Sequence, residues 1–403
     1  MFIIRVSIVR SHALHFKGEN MGGKILFVLN ARFSDWKGTQ RFFYEFGRFL
    51  VQHGYTVTLI EDDRRPTEET MQIPLELPFN IITLHLRKIF SIYFVPRKAL
   101  EEINPDLLYV NSLSVFPILP FSKFKVIFGM HVVDISYLKY ATIRFKFKFY
   151  IKKILFTAIV KLAWRDKTIM IHALNTDQRD WINSITKDRF PVRIIGNPVD
   201  FNIKESIAYI KNMEKNEKFN VLFFGKGFYE FMRVLSYLKS TSLNEEILFI
   251  IAGGGRMKQE AETLSRNSKN IRFIERPNDE EKKNIMLSSD LFVFPSVYEN
   301  FPLTAVEAQS SGLPCLFSDI TPLRNIVIEG KTGYCLSLDG AFEKRFFDKI
   351  QEYLLLWSND YERYKKMRVE IAEITSRLSK ENVLPQLLDM VESFLKSKGR
   401  NPS

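Results

Sequence analysis

The chain has 403 residues, a net charge of +12 and a hydrophobic content of 46%. This length and composition exclude a disordered, collagen-like or low-complexity chain and predict two domains, each with its own core. The two cysteines, Cys315 and Cys335, are too few for a disulfide scaffold, and neither has a Cys or His neighbour at metal-ligand spacing. We therefore expect a reducing compartment and no structural zinc.

Residues 1–20 resemble a signal peptide at first sight, but Arg5 and Arg10 interrupt the apolar run and no small-residue cleavage site follows. We interpret this segment as a dispensable extension, with the fold beginning at Met21. No stretch of the sequence reaches the roughly 18–20 uninterrupted apolar residues of a membrane-spanning helix. The sequence therefore predicts a non-secreted, cytoplasmic protein.

From residue 24 onward, short apolar runs alternate with helical patterns. Phe42, Phe46 and Leu50 recur at helical spacing within 38–54, and Gly54 is placed to end that helix. Strands are predicted at 24–31, 55–60, 80–86, 106–112, 125–131 and 168–174. Buried strands that alternate with helices are typical of a parallel α/β sheet with right-handed crossovers.

A second series of the same kind follows a polar and charged break at 200–218. Its strands are predicted at 219–225, 246–255, 270–276, 290–296 and 314–319. The fold class is therefore α/β, with two doubly wound, Rossmann-like units at 21–200 and 203–375. A C-terminal helix within 376–403 belongs to neither unit by pattern and can cross back to the first. Ligands of such sheets bind at the carboxyl ends of the strands, so we expect a site in a cleft between the two sheets.

The most informative pattern surrounds Glu299 and Glu307. A buried strand ends at Pro295, a loop carries Glu299, and a helix begins at Pro302 and stops at Gly312. The free N–H groups and dipole of such a helix start suit a phosphate. Glu307, one turn into the helix, is placed to accept hydrogen bonds from a ribose, and Glu299 can hold a sugar hydroxyl. For either glutamate alone, an ordinary helix-start carboxylate is the better interpretation.

Together with their flanks, the two glutamates resemble the Glu-x7-Glu signature of retaining GT-B glycosyltransferases, in particular glycosyltransferase family 4. The matching residues are Pro295, Ser296, Glu299, Phe301, Leu303, Glu307, Ala308, Gly312, Leu313 and Pro314. Segments 53–60, 104–112 and 193–201 are also similar to the family and occur in its order. The resemblance covers most of the chain, apart from residues 1–20 and a basic stretch at 138–167.

This resemblance implies transfer of a hexose from a nucleotide-diphosphate sugar with retention of configuration, the donor binding the second domain and the acceptor the first. It implies catalytic roles for Glu299 at the donor sugar, Lys226 at the diphosphate and His131 near the transferred sugar. A lysine suits that place because the departing diphosphate gains charge. Glu307 would hold the ribose. Further residues implied to contact the substrates are Lys37, Gly38, Asn197, Arg276, Asn300, Phe301, Pro302 and Leu303.

The sequence departs from the family pattern at three places. The loop before Lys226 is shortened to FFGKGF and lacks the usual arginine, for which Arg233 and Arg256 are candidate replacements. Pro302 replaces the commoner glycine, and Lys37 replaces the first glycine of a pair. No Asp-x-Asp motif occurs, so we expect a transferase that needs neither a metal nor any other cofactor.

Residues 138–167 carry nine Lys and Arg, one acid and seven aromatic residues. Such a basic patch predicts an anionic partner. Since several members of the resembled family act on lipid-linked acceptors at membranes, we expect peripheral binding to the cytoplasmic membrane face and a lipid-phosphate-linked saccharide as acceptor. A solvated face whose aromatic side chains pack inward is the alternative.

Two other functions remain open at this point. A nucleotide-sugar epimerase of the same fold would also use paired carboxylates and histidines. A basic nucleic-acid-binding protein is less favoured, since no zinc, helix-turn-helix or RNP-like pattern is found, and we expect no nucleic-acid partner. A nicotinamide-dependent oxidoreductase is disfavoured because no G-x-G-x-x-G motif follows the first strand.

Overall fold

The structure is a computed structural model. It describes residues 7–9, 22–29, 38–62, 79–84, 87–89, 92–94, 97–111, 124–131, 150, 154, 169–240 and 245–397. The chain divides into two units, the first formed by Met1–Pro198 with Lys380–Ser403 and the second by Val199–Ser379. Within the described ranges, no helix is both long enough and apolar enough to cross a membrane.

The described residues form sixteen strands and twelve α-helices. The strands are β1 (Ser7–Val9), β2 (Lys24–Val28), β3 (Thr56–Asp62), β4 (Asn80–Leu84), β5 (Arg87–Ile89), β6 (Ile92–Phe94), β7 (Leu107–Val110), β8 (Lys125–Gly129), β9 (Ile169–Ala173), β10 (Val192–Ile194), β11 (Phe219–Phe224), β12 (Ile247–Gly253), β13 (Ile271–Glu275), β14 (Leu291–Phe294), β15 (Cys315–Ser318) and β16 (Gly333–Leu336). The helices are α1 (Gly38–Gln52), α2 (Arg97–Ile103), α3 (Thr176–Thr186), α4 (Ile203–Asn212), α5 (Phe228–Lys239), α6 (Lys258–Arg266), α7 (Asp279–Ser288), α8 (Leu303–Ser310), α9 (Thr321–Arg324), α10 (Phe342–Asn359), α11 (Tyr361–Thr375) and α12 (Lys380–Lys396).

The main sheet of the first unit has the strand order β1-β4-β3-β2-β7-β8-β9-β10 in the described part of the chain. All neighbouring pairs are parallel except β1 with β4. Side chains of β2 alternate between the two faces, so that Ile25 and Phe27 pack with α1 while Leu26 and Val28 enter the core on the opposite face. The predicted helix at 38–54 is confirmed by α1, and Gly54 follows it at φ +83°.

Two segments near the ends of the chain belong to this unit. Ser7–Val9, within the segment interpreted as an extension, pairs as a strand with β4. At the other end, α12 packs against α1 and places Leu387 and Met390 in the same core as Phe27.

The second unit contains a parallel sheet with the strand order β13-β12-β11-β14-β15-β16 in the region that the structure describes. Phe219, Val221 and Phe223 of β11 face α5 and α10, while Leu222 faces α8. This order is that of the dinucleotide-binding sheets, and it reverses between β11 and β14. A ligand is therefore expected where those two strands end.

The polar and charged segment 200–218, predicted to separate the two series of strands, contains a helix that the sequence did not predict, because 203–212 form α4. The side chain of Asn202 accepts a hydrogen bond from the Glu205 amide and caps the helix, while Ile210 is buried. Charged residues between the isoleucines conceal this amphipathic pattern in the sequence.

Candidate active site

Two oppositely charged residues flank the point at which the second sheet reverses its strand order. Lys226 follows β11, and Glu299 lies in the loop after the neighbouring strand β14. The Nζ atom of Lys226 lies 3.3 Å from Oε2 of Glu299. Because the carboxyl ends of these strands are the expected ligand site of a doubly wound sheet, the pair marks the candidate active site.

The short loop before α5 holds Lys226 against the β14 loop. It contains two glycines with positive φ, Gly225 at +125° and Gly227 at +87°. A Cβ atom at Gly227 would lie 2.6 Å from the carbonyl oxygen of Pro295, so this close approach requires glycine. The ammonium group of Lys226 also lies 4.4 Å from the ring centroid of Tyr298, a cation–π contact that the sequence did not predict.

Glu299 is held in place although it is almost buried, with 8% of its surface exposed. The hydroxyl of Ser296 donates to its Oε1 at 3.4 Å, and Lys226 lies against its other oxygen. Ser318 in turn donates to the main-chain oxygen of Ser296. A buried carboxylate is costly unless it is paired and hydrogen-bonded, so these partners stabilise its charge and fix its position.

Glu307 is paired with a lysine that the sequence did not indicate. It lies in α8, whose first turn begins directly after Pro302. The Nζ atom of Lys282, on α7, donates to Oε1 of Glu307 at 2.8 Å and lies 3.5 Å from the carboxylate of Asp279. Because the side chains of Glu307 and Lys282 are only 11% and 16% exposed, the ion pair is largely shielded from water.

Four predicted residues lie between the two glutamates, at the end of the Glu299 loop and the start of α8. Phe301 and Leu303 pack, partly buried, against the core that includes α8. Asn300 is half-buried, and the carbonyl of Pro302 accepts hydrogen bonds from the first turn of α8. The structure therefore brings these four predicted residues together with Glu299.

Two arginines of the second unit, Arg276 and Arg233, lie outside the loop that carries Glu299. Arg276 follows β13, the edge strand, and its amide donates to the carbonyl of Gly253 at 2.9 Å. Arg233, a candidate replacement for the missing loop arginine, pairs instead with Glu343 of α10. The side chain of Arg256 and all of Lys37 lie outside the described residues, and Gly38 is the first residue of α1.

In the first unit, His131 follows β8 and belongs to a buried hydrogen-bonded cluster. Its Nε2 atom lies 3.0 Å from the hydroxyl oxygen of Tyr109. That hydroxyl also bonds to Nδ1 of His172, whose Nε2 lies 2.7 Å from the carbonyl oxygen of Ile195. Neither Tyr109 nor His172 was predicted from the sequence.

Burial sets the protonation of both histidines. It lowers the pKa of His131 well below its usual value of 6.5, and the neighbouring His172 acts in the same direction while a hydrogen bond with Asn197 opposes it. Burial also lowers the pKa of His172 to about 4. Both imidazoles are therefore neutral near pH 7. Within the described ranges, no group of three or more His, Cys, Asp or Glu side chains could hold a metal ion.

Two family models together match residues 36–370 of the chain. Residues 36–202 match the family model "Glycosyltransferase Family 4", and residues 201–370 match "Glycosyl transferases group 1". A galactosyltransferase of Escherichia coli, named UDP-Gal:alpha-D-GlcNAc-diphosphoundecaprenol alpha-1,3-galactosyltransferase, is 27% identical over 202 residues. That match covers 46% of this chain and 52% of the E. coli protein, so the chain spans about half the length of this relative.

Solved structures share the fold at low sequence identity. The sucrose-phosphate synthase of Thermosynechococcus elongatus matches 93% of this chain and all of its own, with a TM-score of 0.66 and 16% identity. The Anabaena protein HepE, solved with UDP and glucose, matches 92% of this chain and all of its own, with a TM-score of 0.63 and 14% identity.

Proposed function

Since this chain belongs to family 4 of the GT-B glycosyltransferases, we propose that it moves a hexose from a nucleotide-diphosphate sugar to an acceptor hydroxyl. The acceptor is a saccharide or a lipid-linked saccharide, and the anomeric configuration is retained. The proposal rests on one observation, the ion pair between Lys226 and Glu299 at the point where the second sheet reverses its strand order. Glu307 lies in the helix that follows the loop of Glu299.

In this proposal, each charged residue meets a different part of the donor. The ribose hydroxyls donate to Glu307, a hydroxyl of the hexose donates to Glu299, and Lys226 contacts the diphosphate. The start of α8 adds the positive end of a helix dipole on the same side. Each of these side chains is held by an ion pair within the protein, Lys226 with Glu299 and Glu307 with Lys282, and charges held in place in this way stabilise charge that develops during a reaction.

The reaction breaks the bond between the anomeric carbon and the phosphate oxygen, and its electron pair leaves with the nucleoside diphosphate. The acceptor oxygen bonds to the anomeric carbon and its proton is released. Lys226 stabilises the charge that accumulates on the diphosphate. His131, neutral near pH 7, serves as a hydrogen-bonding group near the sugar and not as a cation.

The similar proteins narrow the choice of substrates to test first. HepE was solved with UDP and glucose, and the name of the E. coli relative gives UDP-Gal and a diphosphoundecaprenol-linked GlcNAc. The proposal is tested by a screen of nucleotide sugars with saccharide and polyprenyl-diphosphate-linked acceptors, with released nucleoside diphosphate as the readout. We expect one donor to release it in an acceptor-dependent manner. Acceptor-independent release, or no release from any donor, would count against the transferase.

Glu307→Ala is expected to weaken the binding of the matching nucleoside diphosphate by about ten- to hundredfold, because a hydrogen bond to a charged group contributes about 1.5–3 kcal/mol. Calorimetric titration of the folded variant measures this change.

The matched control is Glu370→Ala, which removes an exposed carboxylate on α11 and should leave nucleotide affinity unchanged. An equal affinity of the Glu307 variant and the wild-type protein would remove Glu307 from the ribose site.

The basic stretch 138–167 lies almost wholly outside the described residues, so its role is argued from its sequence. We propose that it holds the protein on the anionic cytoplasmic face of a membrane, where a lipid-phosphate-linked saccharide is presented. Each basic residue near such a surface contributes about 1 kcal/mol before screening. Nine such residues against one acid therefore favour peripheral binding.

Sedimentation with anionic liposomes tests this proposal. Binding should require anionic lipid and fall steeply as salt is raised. It should be lost when five residues become Gln: Arg144, Lys146, Lys148, Lys152 and Lys153. The control changes five exposed lysines of the second unit to Gln and should keep binding: Lys211, Lys239, Lys269, Lys331 and Lys366. Equal binding to neutral liposomes, or no binding to anionic ones, would favour a soluble acceptor.

A further inference from the structure

Lys282, the lysine that pairs with Glu307, occupies an unusual place for a cation. It is the fourth residue of α7 and lies near the positive end of the helix dipole, where a cation is disfavoured. Lysine side chains also rarely leave water unless they are paired, yet this one is only 16% exposed. The 2.8 Å contact with Glu307 offsets both costs, and the carboxylate of Asp279 lies 3.5 Å away. The main partner of Lys282 is therefore the carboxylate that we assign to the ribose.

The two helices that carry this ion pair are held together by other contacts. The buried guanidinium of Arg368 donates to two carbonyls at the end of α7 and to two carbonyls just after α8. The spacing of the helices is thus set at the ends that lie away from the pair. Lys282 acts locally, on the orientation of the Glu307 carboxylate.

A ribose presents two neighbouring hydroxyls that can both donate. A carboxylate has acceptor sites on both of its oxygens, so Glu307 can accept from Lys282 and from ribose hydroxyls at the same time. Such hydrogen bonds to a charged group are stronger than neutral ones, provided that the carboxylate is correctly oriented. We propose that Lys282 is a positioning residue, which holds the Glu307 carboxylate in one orientation and thereby sets the preference of the site for ribonucleotides. The inference rests on the proposed function for the presence of a ribose at Glu307.

The next residue along the helix supplies a matched control. Lys283 pairs with Glu205 at 2.6 Å, but the two side chains are 30% and 52% exposed, and an ion pair so open to water contributes little. Lys283→Met removes the same charge from the same helix and leaves the pair of Lys282 and Glu307 in place.

The inference is tested by calorimetric titration of the full-length protein with UDP, ADP and GDP, each compared with its 2′,3′-dideoxy form. The nucleotide that binds most tightly is then used for the variants. Wild-type protein should bind the ribose form at least about tenfold more tightly than the dideoxy form. In Lys282→Met, affinity should fall by about tenfold for the ribose form and by less than about twofold for the dideoxy form. Lys282→Arg, which keeps the cation, should stay within about threefold of the wild-type protein, and Lys283→Met should behave like the wild type.

A merely structural role of Lys282 would weaken the binding of both nucleotide forms equally, and that result would overturn the inference. So would an unchanged ribose preference in Lys282→Met, tighter binding by that variant, or an equal loss of preference in Lys283→Met. Lys282→Gln keeps a donor without the charge and should lose about threefold in ribose preference, which provides the test if Lys282→Met does not fold.

Failure of the proposed function gives a different result. If the ribose preference depends on Lys282 but no donor is turned over, the transferase is wrong and the inference stands. If none of the nucleotides binds to the wild-type protein, both are wrong.

Discussion

Lys226→Ala is expected to lower kcat by about 10²–10³-fold, the usual cost of removing one group that stabilises charge in a transition state. The lysine is half-exposed, its ammonium lies 3.3 Å from Glu299, and the two glycines beside it fix the loop. In the proposed function, this lysine meets the diphosphate as the bond between the anomeric carbon and the phosphate oxygen breaks. Steady-state release of nucleoside diphosphate at saturating donor measures the effect.

The control for this prediction is Lys239→Ala, which removes an exposed lysine from the end of α5, the helix that follows the Lys226 loop, and should leave kcat unchanged. A rise in KM with unchanged kcat in Lys226→Ala would mean that the lysine binds donor and transition state equally. It would then have no catalytic role.

Turnover is also expected to survive EDTA, since a lysine and a helix start supply the positive charge that a metal ion would otherwise provide. Activity is measured before and after chelation. Loss of activity that is restored by magnesium would show that the diphosphate needs a metal ion in this protein.

Arg368→Met is expected to destabilise the second unit by about 3–5 kcal/mol, because it removes one partner from a buried network of charges. Arg368, on α11, is completely buried. Its guanidinium donates to the carbonyls of Leu287 and Ser289 at the end of α7 and to those of Ser311 and Gly312 at the end of α8. It thereby satisfies the ends of the two helices that carry Lys282 and Glu307.

The substitution also leaves the buried Asp290 without its cation. Burial already raises the pKa of this carboxyl, and Arg368 acts against that shift. For a unit of this size, the expected loss lowers the melting temperature by roughly 10 °C, measured by calorimetry. Arg363→Met, which changes an exposed residue of the same helix, should shift it by less than about 1 °C. Similar melting temperatures for the two variants would contradict a structural role for the buried arginine.

Much of this fold was predictable because its buried strands are short continuous apolar runs. Apolar runs such as 219–225 and 290–296 predicted the strands at the centre of the second sheet, and glycines such as Gly54 predicted helix ends. Short edge elements were missed. β10, with the half-buried and exposed residues Val192–Ile194, has no apolar run to reveal it. α4 was missed because its charges obscure three isoleucines.

At the candidate site, the sequence motif indicated the two glutamates. It did not indicate the side chains that pair with the predicted residues. Glu299 and Glu307 were predicted as site residues from their spacing and flanks. Lys282 lies 25 residues before Glu307, and its neighbour Lys283 pairs with Glu205 instead. Which of two adjacent lysines turns inward depends on the packing of α7, which the sequence alone does not reveal. Tyr109 and His172 belong to separate strands and meet His131 only in the folded sheet.

Proton NMR of the product made from an α-linked nucleotide sugar tests the central claim most directly. The anomeric coupling constant distinguishes α from β linkages, and the spectrum also shows any change in the unreacted donor. Retaining transfer predicts an α-linked product that appears together with free nucleoside diphosphate. A β-linked product would contradict retention, and an epimerised nucleotide sugar without a new glycosidic bond would contradict transfer itself.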